Sequence, residues 1–462
     1  MYRAIVAAVG LIGSTAVAQP YQASGVKVGE VTARSAIVWT RLTSVPERLN
    51  DGVELVKAGW REPQWPEGVT VDELEGACPG AEGEVRVVYG SRGRERATAW
   101  ETVDADGDFT AQFRLRKLRP NTEHAYRVEC RSPEGEPGRA LEGGFRTAPP
   151  AKRADRVVFT VVTGQGYWRQ DTPEGHGIYR EMLAMEPSFF VNTGDIVYYD
   201  RPKPITQTVG AARYHWQRTY SLPLQMAFHR RVASYFLKDD HDTLWDDAYP
   251  TMDQPRAKGF TFADGQRIFR EQVPMGKSTY RTVRWGRDLQ IWMVEGRDFR
   301  SPNTMEDGPD KTIWGEKQKA WLKRTVLASD ATFKLLISPT PIVGPDRTNK
   351  RDNHANPNWT HEGGEIREWI RDEAPELIVV CGDRHWQYVS VHPETGVREF
   401  SCGATSDAHS GGFGEAVPEY HRYFNVVGGF LSGTVERDAG APTLTFRHHT
   451  VSGDVLHEER IT

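Results

Sequence analysis

The sequence has 462 residues, which is enough for about three domains, or for one large domain with a smaller one. It has 58 Lys and Arg residues against 63 Asp and Glu residues, a net charge of −5. This balance argues against a general nucleic-acid-binding protein, because such proteins need a basic face to neutralise phosphates. The hydrophobic content of 38% excludes a disordered or collagen-like chain and provides ample material for a buried core.

The N-terminus has the pattern of a secretory signal peptide. A positive charge at Arg3 precedes the uncharged apolar run Ala4 to Gly13, and Ala16-Val17-Ala18 fits the small-x-small cleavage rule. We therefore predict a signal peptide at residues 1–18, a mature chain that starts at Gln19, and export to the periplasm or the extracellular space. The alternative is an N-terminal membrane anchor, but the apolar run is short for a bilayer. No later apolar run is long enough to span a membrane, so no transmembrane segment is expected after signal removal.

The four cysteines leave the disulfide pattern open. Export permits disulfides, and Cys78 with Cys130 would staple the N-terminal region. Cys381 and Cys402 lie at predicted strand ends, where packed free thiols are equally compatible with the sequence. Four cysteines allow three pairings, and the sequence does not choose among them. No Cys-x-x-Cys spacing occurs, which argues against a zinc–thiolate site.

Residues 19–148 have the pattern of a small all-β domain. Short alternating runs at 25–31, 35–41, 84–89 and 109–115, separated by turn residues, predict an antiparallel sandwich. The turn that begins at Leu118 and leads to Tyr126 resembles the corner of a fibronectin type III domain, in which a tyrosine hydroxyl ties the turn to the strand. We predict a fibronectin type III-like domain that acts as a structural cap, with carbohydrate or partner binding as the alternative.

Residues 149–462 have a different pattern, typical of an α/β domain. Nearly continuous apolar runs indicate strands buried on both faces, and they occur at 156–163, 188–191, 232–237, 289–294, 334–337 and 376–381. Segments with helical spacing of apolar residues lie between them, at 177–185 and 315–327. Strands that alternate with helices predict a layered α/β fold.

The residues that follow these strands point to a metal site. The runs end in Thr-Gly-Asp195, Asp240-His241, Arg297-Asp298 and Gly-Asp383-Arg-His385. Ligands bind at the carboxyl ends of strands in open α/β sheets, so we expect these side chains to converge. Crowded carboxylates repel one another unless a positive charge lies among them. Two metal ions would supply it, and oxygen and imidazole ligands suit Fe, Mn, Zn or Ca.

In combination, these motifs resemble those of the calcineurin-like metallophosphoesterases, and more narrowly the alkaline phosphatase D-like branch. The resemblance covers roughly residues 25–450 and rests on Thr-Gly-Asp195-Ile-Val-Tyr198, Asp240-His241 and Gly-Asp383-Arg-His385. It implies a two-sheet sandwich flanked by helices, preceded by a small fibronectin type III-like sandwich.

The resemblance also implies metal ligands at five positions. Asp195 matches the carboxylate that bridges two metals, and Tyr198 matches the phenolate ligand of a ferric ion. Asp240 occupies a ligand position that Asn holds in other members, and Asp383 and His385 match the final pair of ligands. The expected cofactors are therefore two metal ions, Fe³⁺ and Ca²⁺, with Mn or Zn as alternatives.

The same resemblance assigns His241 as the catalytic group that donates to the substrate or the leaving group. Two arginines after the fourth strand, Arg297 and Arg300, are candidates to bind phosphate oxygens, because a planar guanidinium suits that geometry.

One motif departs from the family pattern. The first strand is normally followed by a Cys or Asp ligand, but Gly164 stands there and has no side chain. Gln165, Asp171 and His176 are nearby replacements, and one metal only is a further possibility. The His expected after the fifth strand is also missing, and His354 is the nearest substitute.

Two functions follow from these observations. The first is an exported phosphoric ester hydrolase that uses a dinuclear metal site to activate water for attack on phosphate mono- or diesters. The alternative is a non-catalytic exported protein that binds a glycan or a partner through a degenerate site, as Gly164 would allow. The sequence predicts no nucleic-acid-binding surface and leaves the natural substrate and the oligomeric state open.

Overall fold

A computed structural model describes residues 19–55, 57–58, 62–63 and 67–462 of the chain, with the backbone alone at 57–58 and 62–63. The predicted signal peptide at 1–18 lies outside these residues. Among the helices formed by the described residues, none combines the length and the apolar character that a membrane crossing requires.

The N-terminal part of the described chain is all β apart from one 3₁₀ turn at Val71–Glu73. Its strands are β1 (Val26–Gly29), β2 (Ser35–Arg41), β3 (Lys57–Ala58), β4 (Glu62–Pro63), β5 (Gly83–Ser91), β6 (Arg94–Ala97), β7 (Glu101–Val103), β8 (Thr110–Arg116), β9 (Glu123–Arg131) and β10 (Leu141–Arg146).

The remainder of the chain mixes strands and helices. The strands are β11 (Val157–Val162), β12 (Phe189–Asn192), β13 (Ala233–Phe236), β14 (Arg281–Trp285), β15 (Leu289–Met293), β16 (Phe333–Ser338), β17 (Leu377–Cys381), β18 (Gln387–Val391), β19 (Arg398–Cys402), β20 (His421–Asn425), β21 (Phe430–Asp438), β22 (Ala441–His449) and β23 (Val455–Ile461). The helices are α1 (Ile178–Ala184), α2 (Val209–Tyr220), α3 (Pro223–His229), α4 (Phe262–Gln272), α5 (Gly315–Leu327) and α6 (Thr360–Glu373).

Two large sheets form the body, as predicted. Within the described residues, one sheet has the order β23-β22-β21-β11-β12-β13-β1-β2-β8, and the other has the order β14-β15-β16-β17-β19-β18-β20. Strands β11, β12 and β13 run parallel in the first sheet, and β15, β16, β17 and β19 run parallel in the second. The predicted apolar runs are therefore the central strands of these two sheets.

The sheets pack face to face and carry helices on their outer faces. Phe189 of the first sheet stacks on Trp285 of the second with ring centroids 4.9 Å apart, and Phe400 stacks on Phe446 at 4.2 Å. Side chains of α1 and α4 bury apolar surface against the outer face of the first sheet, and those of α5 and α6 do so against the second. The two-sheet sandwich flanked by helices is confirmed.

The N-terminal strands do not form an independent pair of sheets. Strands β1, β2 and β8 extend the first large sheet, with Gly29 of β1 paired in parallel to Ser234 of β13. A separate sheet in the order β10-β9-β5-β6, with β7 beside β5, covers them. The Tyr126 hydroxyl does not tie its own turn to the strand as predicted, because it donates a hydrogen bond to the Arg230 carbonyl at 2.7 Å.

All four cysteines lie in the described part of the chain, and all four are buried free thiols. The candidate disulfide between Cys78 and Cys130 is therefore not formed. Each thiol packs in apolar or hydrogen-bonded surroundings; Cys381 Sγ, for example, lies 3.2 Å from the Tyr388 hydroxyl.

Candidate metal centre

The carboxyl ends of three parallel strands place the candidate ligands. Asp195 follows β12 and Asp240 follows β13 in the first sheet, while Asp383 and His385 follow β17 in the second. The two sheets face each other, so the loops after these strands meet at one end of the sandwich. The strand-end motifs predicted to converge from the sequence are thus brought together.

Tight turns present two of these carboxylates. Asp195 has φ +55° and Asp383 has φ +63°, a left-handed backbone that is uncommon outside glycine and concentrated at functional sites. The Gln165 amide donates to the Asp195 carbonyl at 2.7 Å, and the Asp383 amide donates to Thr163 Oγ1 at 3.1 Å. The segment after β11 therefore anchors both turns through its backbone and one hydroxyl.

Three of the predicted ligands already lie at the spacing of atoms around one cation. The Tyr198 hydroxyl is 3.2 Å from Asp195 Oδ2 and 3.4 Å from His385 Nε2, and the latter two atoms are 3.6 Å apart. Ligands held about 2.0–2.2 Å from one metal ion in tetrahedral geometry are separated by about 3.3–3.6 Å. The three side chains therefore have the spacing expected for ligands of a single metal ion.

The carboxylates around Asp195 form a second group of candidate metal ligands. The ligand atoms of Asp195, Asp240 and His241 lie within 4.8 Å of one another, as do those of Asp195, Asp239 and Asp383. Asp195 is common to both groups. Asp239 was not among the predicted ligands, although it stands beside Asp240 in the same motif.

Three buried oxygens in this cluster have no hydrogen-bond partner among the described residues. They are Asp195 Oδ1, Asp239 Oδ2 and Asp383 Oδ2, the last of which lies 2.9 Å from Arg384 Nη1. Burial raises the pKa of Asp195 and of Asp239, and it raises the pKa of Asp383 to about 7. Unpaired buried oxygens on clustered carboxylates are costly unless a cation lies among them, so this donor set fits metal ions.

His241 is oriented by a carboxylate that the sequence reasoning missed. Its Nδ1 lies 2.9 Å from Asp200 Oδ1, so Nδ1 donates to Asp200 and leaves Nε2 for the cavity. Burial lowers the pKa of His241, but Asp200, Asp240 and Asp195 outweigh it and raise the pKa well above its ordinary value. Asp200 stands two residues after Tyr198 in the same segment, and that spacing was the available signal.

Neither predicted arginine reaches the cavity. Arg297 is fully buried, where its Nε donates to Asp239 Oδ1 at 2.6 Å and its Nη2 lies 3.7 Å from Asp240 Oδ2. Burial alone raises the pKa of Asp240, but Arg297 and His241 reverse this and hold it well below its ordinary value. Arg300 is also buried and donates to the Asp352 carbonyl at 2.7 Å. Both guanidiniums are buried and neither borders the cavity, although Arg297 Nη2, Arg300 Nε and Arg300 Nη1 have no hydrogen-bond partner among the described residues.

Other cations line the cavity instead. A cavity of about 150 Å³ is bordered by the metal-site side chains and by Arg201, Arg347 and Lys350. Lys350 Nζ lies 3.1 Å from Asp352 Oδ2, which fixes the ammonium at the wall of the cavity. Arg201 and Arg347 each lie near an aspartate that neighbours them in sequence, at 3.9 and 3.4 Å.

The structure also shows why the first motif lacks a ligand. A Cβ at Gly164 would lie 2.8 Å from His385 Nε2, so the imidazole occupies the space that a side chain would need. Asp171 accepts from the Gly177 amide, and His176 contacts the Gly166 carbonyl and Gln225, so neither replaces the ligand.

Two further candidates for the missing ligand already interact with other residues. The side-chain Oε1 of Gln165 accepts a hydrogen bond from the Tyr179 hydroxyl. His354 is buried with its Nε2 3.0 Å from Glu362. The histidine nearest the gap is His409, which the sequence analysis did not select. Its Nδ1 donates to the Gly164 carbonyl at 2.8 Å, and its ring centroid lies 4.2 Å from that of His385.

Family models match two parts of the chain. A family model described as PhoD-like phosphatase matches residues 159–423, and one described as PhoD-like phosphatase, N-terminal domain matches residues 7–149. No curated protein sequence matches significantly.

Two solved structures show the same fold at low sequence identity. A structure of PhoD aligns with a TM-score of 0.70 and 16% identity over 97% of this chain and 90% of PhoD. Purple acid phosphatase PPD1 from yellow lupin (Lupinus luteus) seeds aligns with a TM-score of 0.65 and 11% identity over 95% of this chain and 74% of that protein. Because the phosphatase model spans more than half of the sequence, the chain belongs to the PhoD-like phosphatase family and is a phosphoric ester hydrolase.

Proposed function

We propose that this phosphatase depends on two metal ions bound at the strand ends and is exported from the cell. The observation that carries the proposal is the pair of acidic groups that share Asp195, with unpartnered buried oxygens on Asp195 and Asp239. A site built only for stability would pair these atoms within the protein.

The residues divide between two positions. Tyr198 and His385 would hold one ion with Asp195, and Asp240 and Asp383 would hold the other with the same bridging carboxylate. A phenolate ligand favours a ferric ion at the first position, and the all-oxygen set at the second favours Ca²⁺, with Mn or Zn as alternatives. When bound, two such ions supply Lewis-acid charge to the phosphoryl oxygens and lower the pKa of a water molecule.

The protein's own side chains complete the reaction. His241 lines the cavity and presents Nε2 to it, so it is placed to protonate the departing oxygen. Asp200 holds the imidazole in this orientation through Nδ1. We assign phosphate binding to Arg201, Arg347 and Lys350 in place of the two buried arginines.

The domain division and the location belong to the same proposal. We assign residues 1–18 to a signal peptide, 19–148 to a fibronectin type III-like region and 149–462 to the catalytic region. The substrate is a phosphate mono- or diester. Secretion is tested by N-terminal sequencing of the exported protein, which should begin at Gln19.

Metal content tests the proposal directly. Elemental analysis of the purified chain should find about two ions per molecule. Asp195→Asn should lose them, while Asp372→Asn, at an exposed carboxylate, should retain them. Hydrolysis of a chromogenic phosphodiester should stop with a chelator and return with metal. A chain that binds no metal after reconstitution would refute the dinuclear site.

A further inference from the structure

A wide groove adjoins the small cavity of the metal centre. Its volume is about 1400 Å³, and it shares Arg201, Asp246, Arg347, His385 and Gly411 with that cavity. Binding sites for small ligands are usually about 300–1,000 Å³. A phosphoryl group at the metal centre would fill the small cavity, so the groove is where the organic part of the ester would lie.

The groove is positively charged although the chain as a whole is negative. Among the described residues that line it, the cationic side chains are those of Arg169, Arg201, Lys203, Arg256 and Arg347. The acidic side chains there are those of Glu54, Asp200 and Asp246, and Asp200 is engaged by His241. The whole chain carries a net charge of −5. A local excess of cations next to a phosphate site indicates a ligand with further negative charge.

Three of these cations have no carboxylate partner. Within the part of the chain that the structure describes, no ion pair involves Arg169, Lys203 or Arg256. Arg169 and Arg256 are exposed, so their guanidinium groups can reach a ligand without breaking an existing contact.

An indole ring is also presented to the groove. Trp168 is 40% exposed, and its ring meets that of Tyr198 edge to face with centroids 5.0 Å apart. Trp245 lines the same groove. Aromatic faces beside a cationic groove are the elements with which proteins stack nucleobases and bind their phosphates.

The segment that carries Trp168 is held in place from below. The hydroxyl of the preceding Tyr167 donates to Glu75 at 2.9 Å, and the Arg218 guanidinium lies 4.5 Å over the Tyr167 ring. This anchoring orders the short Tyr167–Arg169 turn, and it therefore fixes the backbone from which the Trp168 and Arg169 side chains extend.

We propose that the groove binds a nucleotide, so that the substrate is a phosphodiester whose leaving group carries a nucleobase and a second phosphate. This inference rests on the proposed phosphohydrolase function. Hydrolysis adds water across the ester: a new P–O bond forms, the P–O bond to the nucleotide breaks, and the released hydroxyl takes a proton. The base would stack at Trp168, and the second phosphate would pair with Arg169 and Arg256.

Three diesters separate these contributions. They are an abasic analogue of a dinucleoside monophosphate, the dinucleoside monophosphate itself, and the same dinucleotide with a 5′-phosphate. We expect kcat/KM to rise by about tenfold for each added feature, since stacking of one base is worth about 1–3 kcal/mol. Trp168→Ala should reduce the ratio of the second substrate to the first. Arg169→Gln combined with Arg256→Gln should reduce the ratio of the third to the second.

Arg422→Gln is the matched control, because Arg422 is exposed and does not line the groove. It should leave both ratios unchanged. Equal kcat/KM for the three diesters would overturn the nucleotide inference while chelator-sensitive hydrolysis upheld the proposed function.

A binding measurement keeps the inference testable if no diester is hydrolysed, an outcome that would count against the proposed function alone. Adenosine 3′,5′-bisphosphate should bind the full chain in calorimetry, and Trp168→Ala should weaken binding by about tenfold. No binding to the wild-type chain would overturn the inference.

Discussion

Two buried acidic regions of this molecule differ in how their oxygens are satisfied. Glu362, in the first turn of α6, accepts hydrogen bonds from the Ile313 amide at 2.6 Å, from His354 Nε2 at 3.0 Å and from the Thr312 hydroxyl. Burial raises its pKa, but these donors lower it to about 2. Asp195 is equally buried, has an oxygen without a partner among the described residues, and has a raised pKa.

The difference separates structural carboxylates from candidate ligands. Both regions contain a histidine beside a carboxylate, so residue type and burial do not distinguish them. Hydrogen bonds from protein groups satisfy the Glu362 carboxylate. Burial lowers the pKa of His354, so the imidazole that donates to Glu362 is neutral. The cluster at Asp195 has Arg297 and His241 beside it, but buried oxygens of Asp195 and Asp239 have no partner among the described residues, and a metal ion would provide one.

The largest expected effect comes from Asp195→Asn. The amide keeps the shape of the side chain but removes the bridging charge, so metal content and activity should fall together. We expect kcat/KM to drop by about 10⁴-fold, or about 5.5 kcal/mol. Steady-state kinetics and elemental analysis measure both quantities. Full activity without metal would remove the distinction between the two regions.

Arg297→Met should have the next largest effect, which is a loss of folding stability. Arg297 compensates Asp239 and Asp240 from behind, and removal of one partner from a buried ion pair costs about 3–5 kcal/mol. Urea unfolding of the metal-free chain should show this loss, and metal addition should recover part of it. If the variant instead raises KM with unchanged stability, Arg297 binds substrate as the sequence first indicated.

Glu362→Gln tests the satisfied region. A pKa depressed to about 2 stabilises the fold at pH values above the unfolded pKa, by about 3 kcal/mol, and this contribution disappears as the pH falls towards 2. The variant should therefore be less stable at pH 7 and approach the wild type near pH 2, with metal content unchanged. Equal losses at both pH values would contradict the assignment.

Metal binding should give the smallest of these changes in free energy. At about 100 times the dissociation constant, a ligand of the folded state adds about 2.7 kcal/mol of stability. Because the pKa of Asp383 is about 7 in the metal-free chain, protons compete with the metal below that pH. The rise in Tm on metal addition should shrink from pH 8 to pH 6, and Asp383→Asn should remove much of this pH dependence.

Sequence periodicity was sufficient to predict the central strands of the fold. The apolar runs that became β11, β12, β13 and β17 mark strands buried on both faces, and parallel strands deliver their following loops to one edge. For this reason Asp195, Asp240 and Asp383 could be predicted to meet from the sequence alone.

Side-chain direction and long-range pairing could not be predicted in this way. Arg297 follows a strand, as a phosphate ligand would, but it folds back beneath Asp239. The Tyr126 hydroxyl reaches Arg230, about a hundred residues later in the chain, and no local pattern encodes that contact. The role of Asp200 depends on the orientation of the His241 ring, which spacing alone does not determine.

The pairing of β1 with β13 has a consequence for how the protein can be produced and altered. A Cβ at Gly29 would lie 2.5 Å from the Ser234 carbonyl oxygen, so the two strands meet at a point that accommodates only glycine. A chain trimmed to residues 149–462 would leave β13 as a bare edge strand with unpaired amides, a template for intermolecular β-pairing and aggregation. We therefore expect a chain that lacks the N-terminal strands to aggregate, and truncation screens should retain residue 29.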